Sequence, residues 1–240
     1  MQLTVIASGS GGNASVIRHN NAAVLIDCGV TLKRLKSGLD AAGMSLSDLD
    51  AVFFTHTHSD HISGLPVLRR AIDAPFYSAV QVPECELSDG WRVGDMEIAA
   101  FECSHDVPCA GYRFTADGRS VCVATDTGVV TEAMRLAFSG CESVMLESNH
   151  DTEMLRTGPY PPQLKRRIAS PRGHLSNADC AAFILELANS GLKRAVLAHV
   201  SEHNNTPLLA KGASWTALSR YGLENEVALY VAEPGLSVEM

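Results

Sequence analysis

The densest chemistry in the chain lies at Thr55-His56-Thr57-His58-Ser59-Asp60-His61, directly after the apolar run Ala51-Val52-Phe53-Phe54. Three imidazoles and one carboxylate fall together there, more than packing alone usually gathers. Imidazole nitrogen and carboxylate oxygen are donors that zinc, manganese and iron all accept, and a turn at a strand end lets alternate residues converge on two neighbouring ions. Four more polar segments follow the same style of punctuation: Ser104-His105-Asp106, Thr125-Asp126-Thr127-Gly128, Gly173-His174-Leu175-Ser176 and Ala198-His199-Val200-Ser201. Taken singly, His105 also reads as a core histidine and Asp126 as a turn residue. Their recurrence after apolar runs points instead to loops that leave the same ends of successive strands and build one site from remote residues. A carboxylate such as Asp126 can sit between two cations and hold their separation.

The elements that position these loops are legible as short apolar, β-branched runs at residues 3–7, 22–27, 51–55, 121–125, 143–147 and 195–198, which predict strands. Leu32, Leu35, Leu39 and Ala42 recur at helical spacing and end at Gly43, a C-cap residue. Residues 65–72 and 179–188 carry similar patterns, the second with Asn177 as the expected N-cap. Asp117-Gly118 signals a tight hairpin. Strands interleaved with helices on this scale predict an α/β layered architecture, and 240 residues without a linker or repeat predict a single domain over 1–240.

Composition narrows the class. The hydrophobic share is 46% against 19% charged, a globular balance. The N-terminus lacks a basic region before its short apolar run, and no run is long enough to span a bilayer. The seven cysteines are scattered, form no CxxC pair and sit mostly in apolar segments, so they read as reduced, buried small residues in a cytoplasmic protein. A net charge of −8 excludes broad, nonspecific polyanion binding, so any nucleic-acid contact is local. Oligomeric state leaves no mark in the sequence.

The histidine-rich turn, together with the spaced segments around His105, Asp126, His174 and His199, resembles the metallo-β-lactamase fold superfamily, and within it the YycJ (WalJ)-type metal-dependent hydrolases and exonucleases. The likeness also takes in Ser8-Gly9-Ser10-Gly11-Gly12-Asn13, Ile26-Asp27-Cys28-Gly29, Leu146-Glu147-Ser148-Asn149-His150-Asp151 and the Gly158-Pro159-Tyr160-Pro161 stretch, so it runs nearly end to end. That resemblance implies an αββα four-layer sandwich with two divalent metal ions, zinc or manganese with iron a further option, at one edge of its sheets. Motif by motif, it implies that His56, His58 and His105 hold one metal, that Asp60, His61 and His199 hold the other, and that Asp126 bridges. His203 lies close enough to His199 in sequence to compete for the last position. His174 matches the extra histidine of phosphodiesterase members, placed as a general acid, while Asp60 both ligates metal and orients the nucleophile.

Two cations roughly 3.5 to 4 Å apart can acidify a shared water, making the attacking hydroxide, and can neutralise an attacked phosphodiester. An anionic polymer as substrate has independent support. Between Leu155 and Leu175 the chain carries Arg156, Lys165, Arg166, Arg167 and Arg172 and no acid, although acids outnumber bases 27 to 19 overall. Such an island suits backbone phosphates, and also suits a solvated helix face. Arg156, Lys165, Arg166 and Arg167, with Asn149, are the candidate substrate contacts. The function expected is a dinuclear phosphodiesterase or nuclease acting on nucleic acid, DNA before RNA, with 5′-to-3′ exonuclease action on double-stranded DNA implied by the resemblance. The competing readings are a small-molecule hydrolase on the same scaffold, for a cyclic phosphodiester, thioester or lactone, and a di-iron redox or sensor protein.

Overall fold

Apolar runs flanked by polar loops become the strands of two sheets in the computed structural model, which describes residues 1–240. In chain order the strands are β1 (Gln2–Ala7), β2 (Ala14–His19), β3 (Ala22–Ile26), β4 (Ala51–Phe54), β5 (Phe76–Ser78), β6 (Glu86–Leu87), β7 (Gly90–Val93), β8 (Met96–Cys103), β9 (Cys109–Ala116), β10 (Arg119–Ala124), β11 (Ser143–Glu147), β12 (Arg194–Ala198), β13 (Ala228–Val231) and β14 (Ser237–Glu239). The helices are α1 (Leu32–Ala41), α2 (Ser59–Ile62), α3 (Leu65–Leu68), α4 (Glu132–Phe138), α5 (Thr152–Thr157), α6 (Pro162–Ile168), α7 (Asn177–Ala188) and α8 (Pro207–Ser219). One sheet has the order β14-β1-β2-β3-β4-β5-β6 and the other β13-β12-β11-β10-β9-β8-β7. This is the mixed α/β class expected from the sequence.

The packing groups the chain into two units. The first comprises Met1–Ala100, Phe114–Gly118 and Ala232–Met240, and the second Phe101–Arg113 and Arg119–Val231. Each has its own apolar cluster. Leu25, Leu35, Leu39, Val52, Phe54 and Phe76 anchor the first, and Phe138, Val144, Leu146, Phe183, Ile184 and Leu197 the second.

Strand direction is what matters for chemistry. In the first unit β3, β4 and β5 run parallel, so the residues following β3 and β4 leave from one sheet edge. In the second, β10, β11, β12 and β13 run parallel, with Ala124 opposite Leu146 and Glu147 opposite Ala198. The C-terminal edge of a parallel sheet is where polar loops collect in α/β folds. These strands are buried on both faces, which explains their unbroken apolar sequences.

All six runs singled out by composition are strands, and Asp117 and Gly118 both take the left-handed conformation that a two-residue hairpin needs, with φ of 51° and 73°. Gly43, with φ 69°, closes α1 one residue beyond its C-cap Ala42. Two details differ. The N-cap of α7 is Ser176, whose side chain accepts from Asp179 N, because Asn177 is buried and its amide is engaged by Ser148 and Asn205. The helix expected over 65–72 ends at Leu68, where Ala71 N–H turns back to Leu68 O. All seven cysteines are free, and all but Cys85 are buried. No helix is long and apolar enough to cross a membrane.

Candidate metal centre

In the first unit the extended segment after β4 runs into α2, for which His58 is the N-cap. Extended backbone presents His56 and His58 from alternate positions, and the helical turn brings Asp60 and His61 beside them. The ring centroids of His56 and His58 are 4.8 Å apart, and those of His56 and His61 4.1 Å. Beneath them lies Asp27, the residue after β3, held at φ 59° and buried. Its carboxylate accepts from Thr55 N (2.9 Å), from Thr55 Oγ1 (3.0 Å) and from His61 Nδ1 (2.8 Å). Having donated its proton to Asp27, the Thr55 hydroxyl accepts from His56 Nδ1 at 2.9 Å. Both imidazoles are thereby fixed through Nδ1, which leaves Nε2 as the ligand atom, the usual way a carboxylate orients a metal-binding histidine. Asn13 Nδ2 donates to His61 Nε2 at 2.9 Å, which marks that nitrogen as the lone-pair side of the ring.

This cluster depends on one close backbone approach. A Cβ on Gly29 would overlap the carbonyl of Asp60. Gly29→Ala is therefore expected to displace the α2 turn and lower activity on the order of 10²-fold, as misplacement by about 1 Å can do. Metal content and turnover measured on the same preparation check this. A Gly29→Ala variant with unchanged kinetics would contradict it.

The second unit carries a cluster of its own at the ends of β10, β11 and β12. Asp126 and His199 follow β10 and β12 and are both left-handed, at φ 59° and 52°, a conformation costly for residues with side chains and characteristic of functional sites. Between them, Glu147 ends β11 with no exposed surface. Its Oε1 accepts from His174 Nδ1 and from His199 Nδ1, each at 2.8 Å. Its Oε2 accepts from Thr127 N at 2.8 Å and Leu175 N at 3.2 Å. Asp126 Oδ1 lies 3.4 Å from His199 Nδ1 and 3.5 Å from His174 Nδ1. The donor atoms of Asp126, Glu147, His174 and His199 all lie within 4.8 Å of one another. His105 is fixed in the same manner, through Nδ1 to Gly173 O at 3.0 Å, while Arg172 holds the His105 and Asp106 carbonyls.

Burial alone would push the Glu147 carboxyl up, but the charges and hydrogen bonds of His174 and His199 outweigh it and bring the group down to about 2. For His174 burial acts downward, and the Glu147 carboxylate reverses it, so the imidazole holds its proton more tightly than usual. His105 is shifted down by its burial, which the nearby carboxylates of Asp126, Asp106 and Glu147 offset only in part. Two buried carboxylates side by side, Asp126 and Glu147, among imidazoles oriented by their Nδ1 atoms form a donor set that fits a divalent cation and repels an anion.

Glu147 and Asp27 are the residues that motif reading passed over as participants. Each closes an apolar strand with an acid, the same pattern that marked Asp126. Other expectations shift with the geometry. His203 is exposed and packs its ring 5.7 Å from that of Tyr160, apart from the cluster around Glu147. Asn149 is 5% exposed and its amide donates to the His199 carbonyl at 2.8 Å, so it supports that loop rather than facing solvent. The basic island is partly neutralised. Arg156 pairs with Glu153, just outside the acid-free stretch, and Arg167 pairs with Asp106. Lys165 Nζ donates to the Arg156 carbonyl, and of these four side chains it and Arg166 lack an acidic partner.

Residues 22–200 match the family described as the beta-lactamase superfamily domain. The chain belongs to this superfamily. It is 34% identical over 228 residues to exodeoxyribonuclease YycJ of Bacillus anthracis, with 88% of the chain and 86% of that relative covered. Identity to exodeoxyribonuclease WalJ of Streptococcus pneumoniae is also 34%, over 226 residues, covering 86% and 84%. The metallo-β-lactamase fold protein YhfI from Bacillus subtilis superposes with TM-score 0.73 at 18% identity, covering 100% of this chain and 99% of that one, a likeness of fold. The metallo-β-lactamase fold expected from the motifs is the one found. Superfamily membership and the donor sets make the chain a metal-dependent hydrolase.

Proposed function

We propose that this superfamily member is a dinuclear phosphodiesterase that degrades DNA, acting as a 5′-to-3′ exonuclease on double-stranded substrate, with the whole chain working as one catalytic domain. The observation that carries the reading is the buried Glu147, which holds both a ligand-type histidine, His199, and a proton-retaining one, His174, through the same oxygen. Identity of 34% to two exodeoxyribonucleases over most of the chain supports DNA as substrate.

The residues that would hold the metals are His56, His58 and His105 for one ion, Asp60, His61 and His199 for the other, and Asp126 between them. When bound, divalent zinc or manganese supplies Lewis acidity toward water and the phosphodiester. The protein's own groups do the rest. Asp60 orients the attacking water, Asp27 and Thr55 keep His56 and His61 in one tautomer, and His174 carries a proton on Nε2 for the departing oxygen while Glu147 secures Nδ1. Arg166 and Lys165 attract backbone phosphate.

Elemental analysis followed by digestion of end-labelled duplex DNA tests this. Chelation is expected to abolish hydrolysis, and re-addition of zinc or manganese to restore it, with labelled mononucleotide released first from the 5′ end. Full activity in a protein shown to be metal-free would overturn the reading.

A further inference from the structure

Beside the Glu147 cluster, the second unit carries a groove of about 370 Å³ between α5 and α6. Leu155, Pro162 and Ala169 give it apolar walls, and Lys165 and Arg166 stand at it from α6. His150, 2% exposed, also lines the groove, and its Nδ1 has no hydrogen-bond partner. A buried polar atom left unpaired costs stability, and beside an opening it offers a hydrogen-bond partner to a ligand group. The volume lies near the lower end of small-molecule sites, which are apolar with a few convergent polar groups, and is too small for a duplex.

The charge pattern selects the ligand. In a chain of net charge −8, Glu153 and Asp106 neutralise Arg156 and Arg167, whereas Lys165 and Arg166 bring two adjacent cations without acidic partners to the mouth of an apolar groove. One end of the ligand is therefore anionic and the other flat, apolar and able to hydrogen-bond with an imidazole. We propose that the groove is a nucleotide subsite that takes one terminal deoxynucleoside 5′-phosphate, its base against His150 and the apolar walls, its phosphate on Lys165 and Arg166. This rests on the reading of the chain as a DNA-degrading enzyme, and gives that reading a device for gripping a single frayed nucleotide.

Titration of the full chain with deoxyadenosine 5′-monophosphate, followed by the histidine ring signals in NMR, tests the subsite. His150→Asn assigns the signal. The nucleotide is expected to shift the His150 resonance, and Ala169→Trp, which fills the groove, and Arg166→Gln, at an exposed position, are each expected to weaken binding about tenfold or more, the loss of a single charge-assisted contact or of the space itself. Deoxyadenosine without phosphate and inorganic phosphate alone are both expected to bind more weakly. An unmoved His150 signal, wild-type affinity in Ala169→Trp, or phosphate binding as well as the nucleotide overturns the subsite. The same preparation is assayed on labelled DNA. Cleavage without nucleotide binding sinks the subsite alone, and nucleotide binding without cleavage of any phosphodiester sinks the nuclease reading and leaves the subsite standing.

Discussion

His174→Ala is expected to slow DNA hydrolysis by on the order of 10²–10⁴-fold, the range that a positioned general acid contributes, while the protein retains its metal. The expectation follows from where the proton sits. Glu147 raises the proton affinity of His174 against the pull of burial and occupies Nδ1, so Nε2 is the atom that can protonate a departing sugar oxygen. An alkoxide leaving group needs that proton. A nitrophenolate does not, so the same variant should lose far less on bis-p-nitrophenyl phosphate than on DNA. Equal losses on the two substrates would remove the acid assignment, and loss of metal would make His174 a ligand.

Glu147→Gln is expected to lower metal affinity or activity by about 10- to 100-fold, as outer-shell partners of metal-bound histidines commonly do. The two carboxylate oxygens face donors on both sides. Oε1 accepts from two imidazoles and Oε2 from two backbone N–H groups. A glutamine offers one acceptor and one donor in the same space. With its oxygen toward the histidines, its NH₂ meets Thr127 and Leu175 N–H; turned the other way, it meets both Nδ1–H groups. Either orientation leaves buried donors opposed, at a cost of about 1–3 kcal/mol for each group left unsatisfied. A lowered thermal midpoint together with reduced metal stoichiometry is the expected pair of results, and normal metal binding in a fully folded Glu147→Gln protein would show that Glu147 does not set the ligand geometry. Both substitutions act on one hydrogen-bonded unit, so their effects are expected to be less than additive.

The basic stretch shows how far a one-dimensional reading of charge carries. Five cations and no acid between Leu155 and Leu175 suggested an island of positive charge suited to backbone phosphates or to a solvated helix face. In the fold, Glu153 reaches Arg156 from one helical turn away and Asp106 reaches Arg167 across about sixty residues. Neither pairing is visible within the stretch, because counterions are recruited by proximity in space. What survives is narrower, two adjacent cations on α6 beside an apolar groove.

The ligand-type residues were legible because metal chemistry restricts the choice of side chain, and because an ionisable group that ends a buried parallel strand stands out against its apolar neighbours. The same physics made β3, β4, β10, β11 and β12 readable, since strands covered on both faces are apolar throughout. The half-exposed alternation of β8, with Met96 and Ile98 buried and Glu97 exposed, gave a weaker signal. Only the folded chain decided the hydrogen-bond partners. That Asp27 and Glu147 orient the histidines, that Ser176 rather than Asn177 caps α7, and that Asn149 serves the His199 loop all depend on which backbone edges lie side by side. Side-chain type announces what a residue can bind, but a hydrogen bond is satisfied within about 3 Å, and that distance is set by strand register and loop geometry rather than by position along the chain.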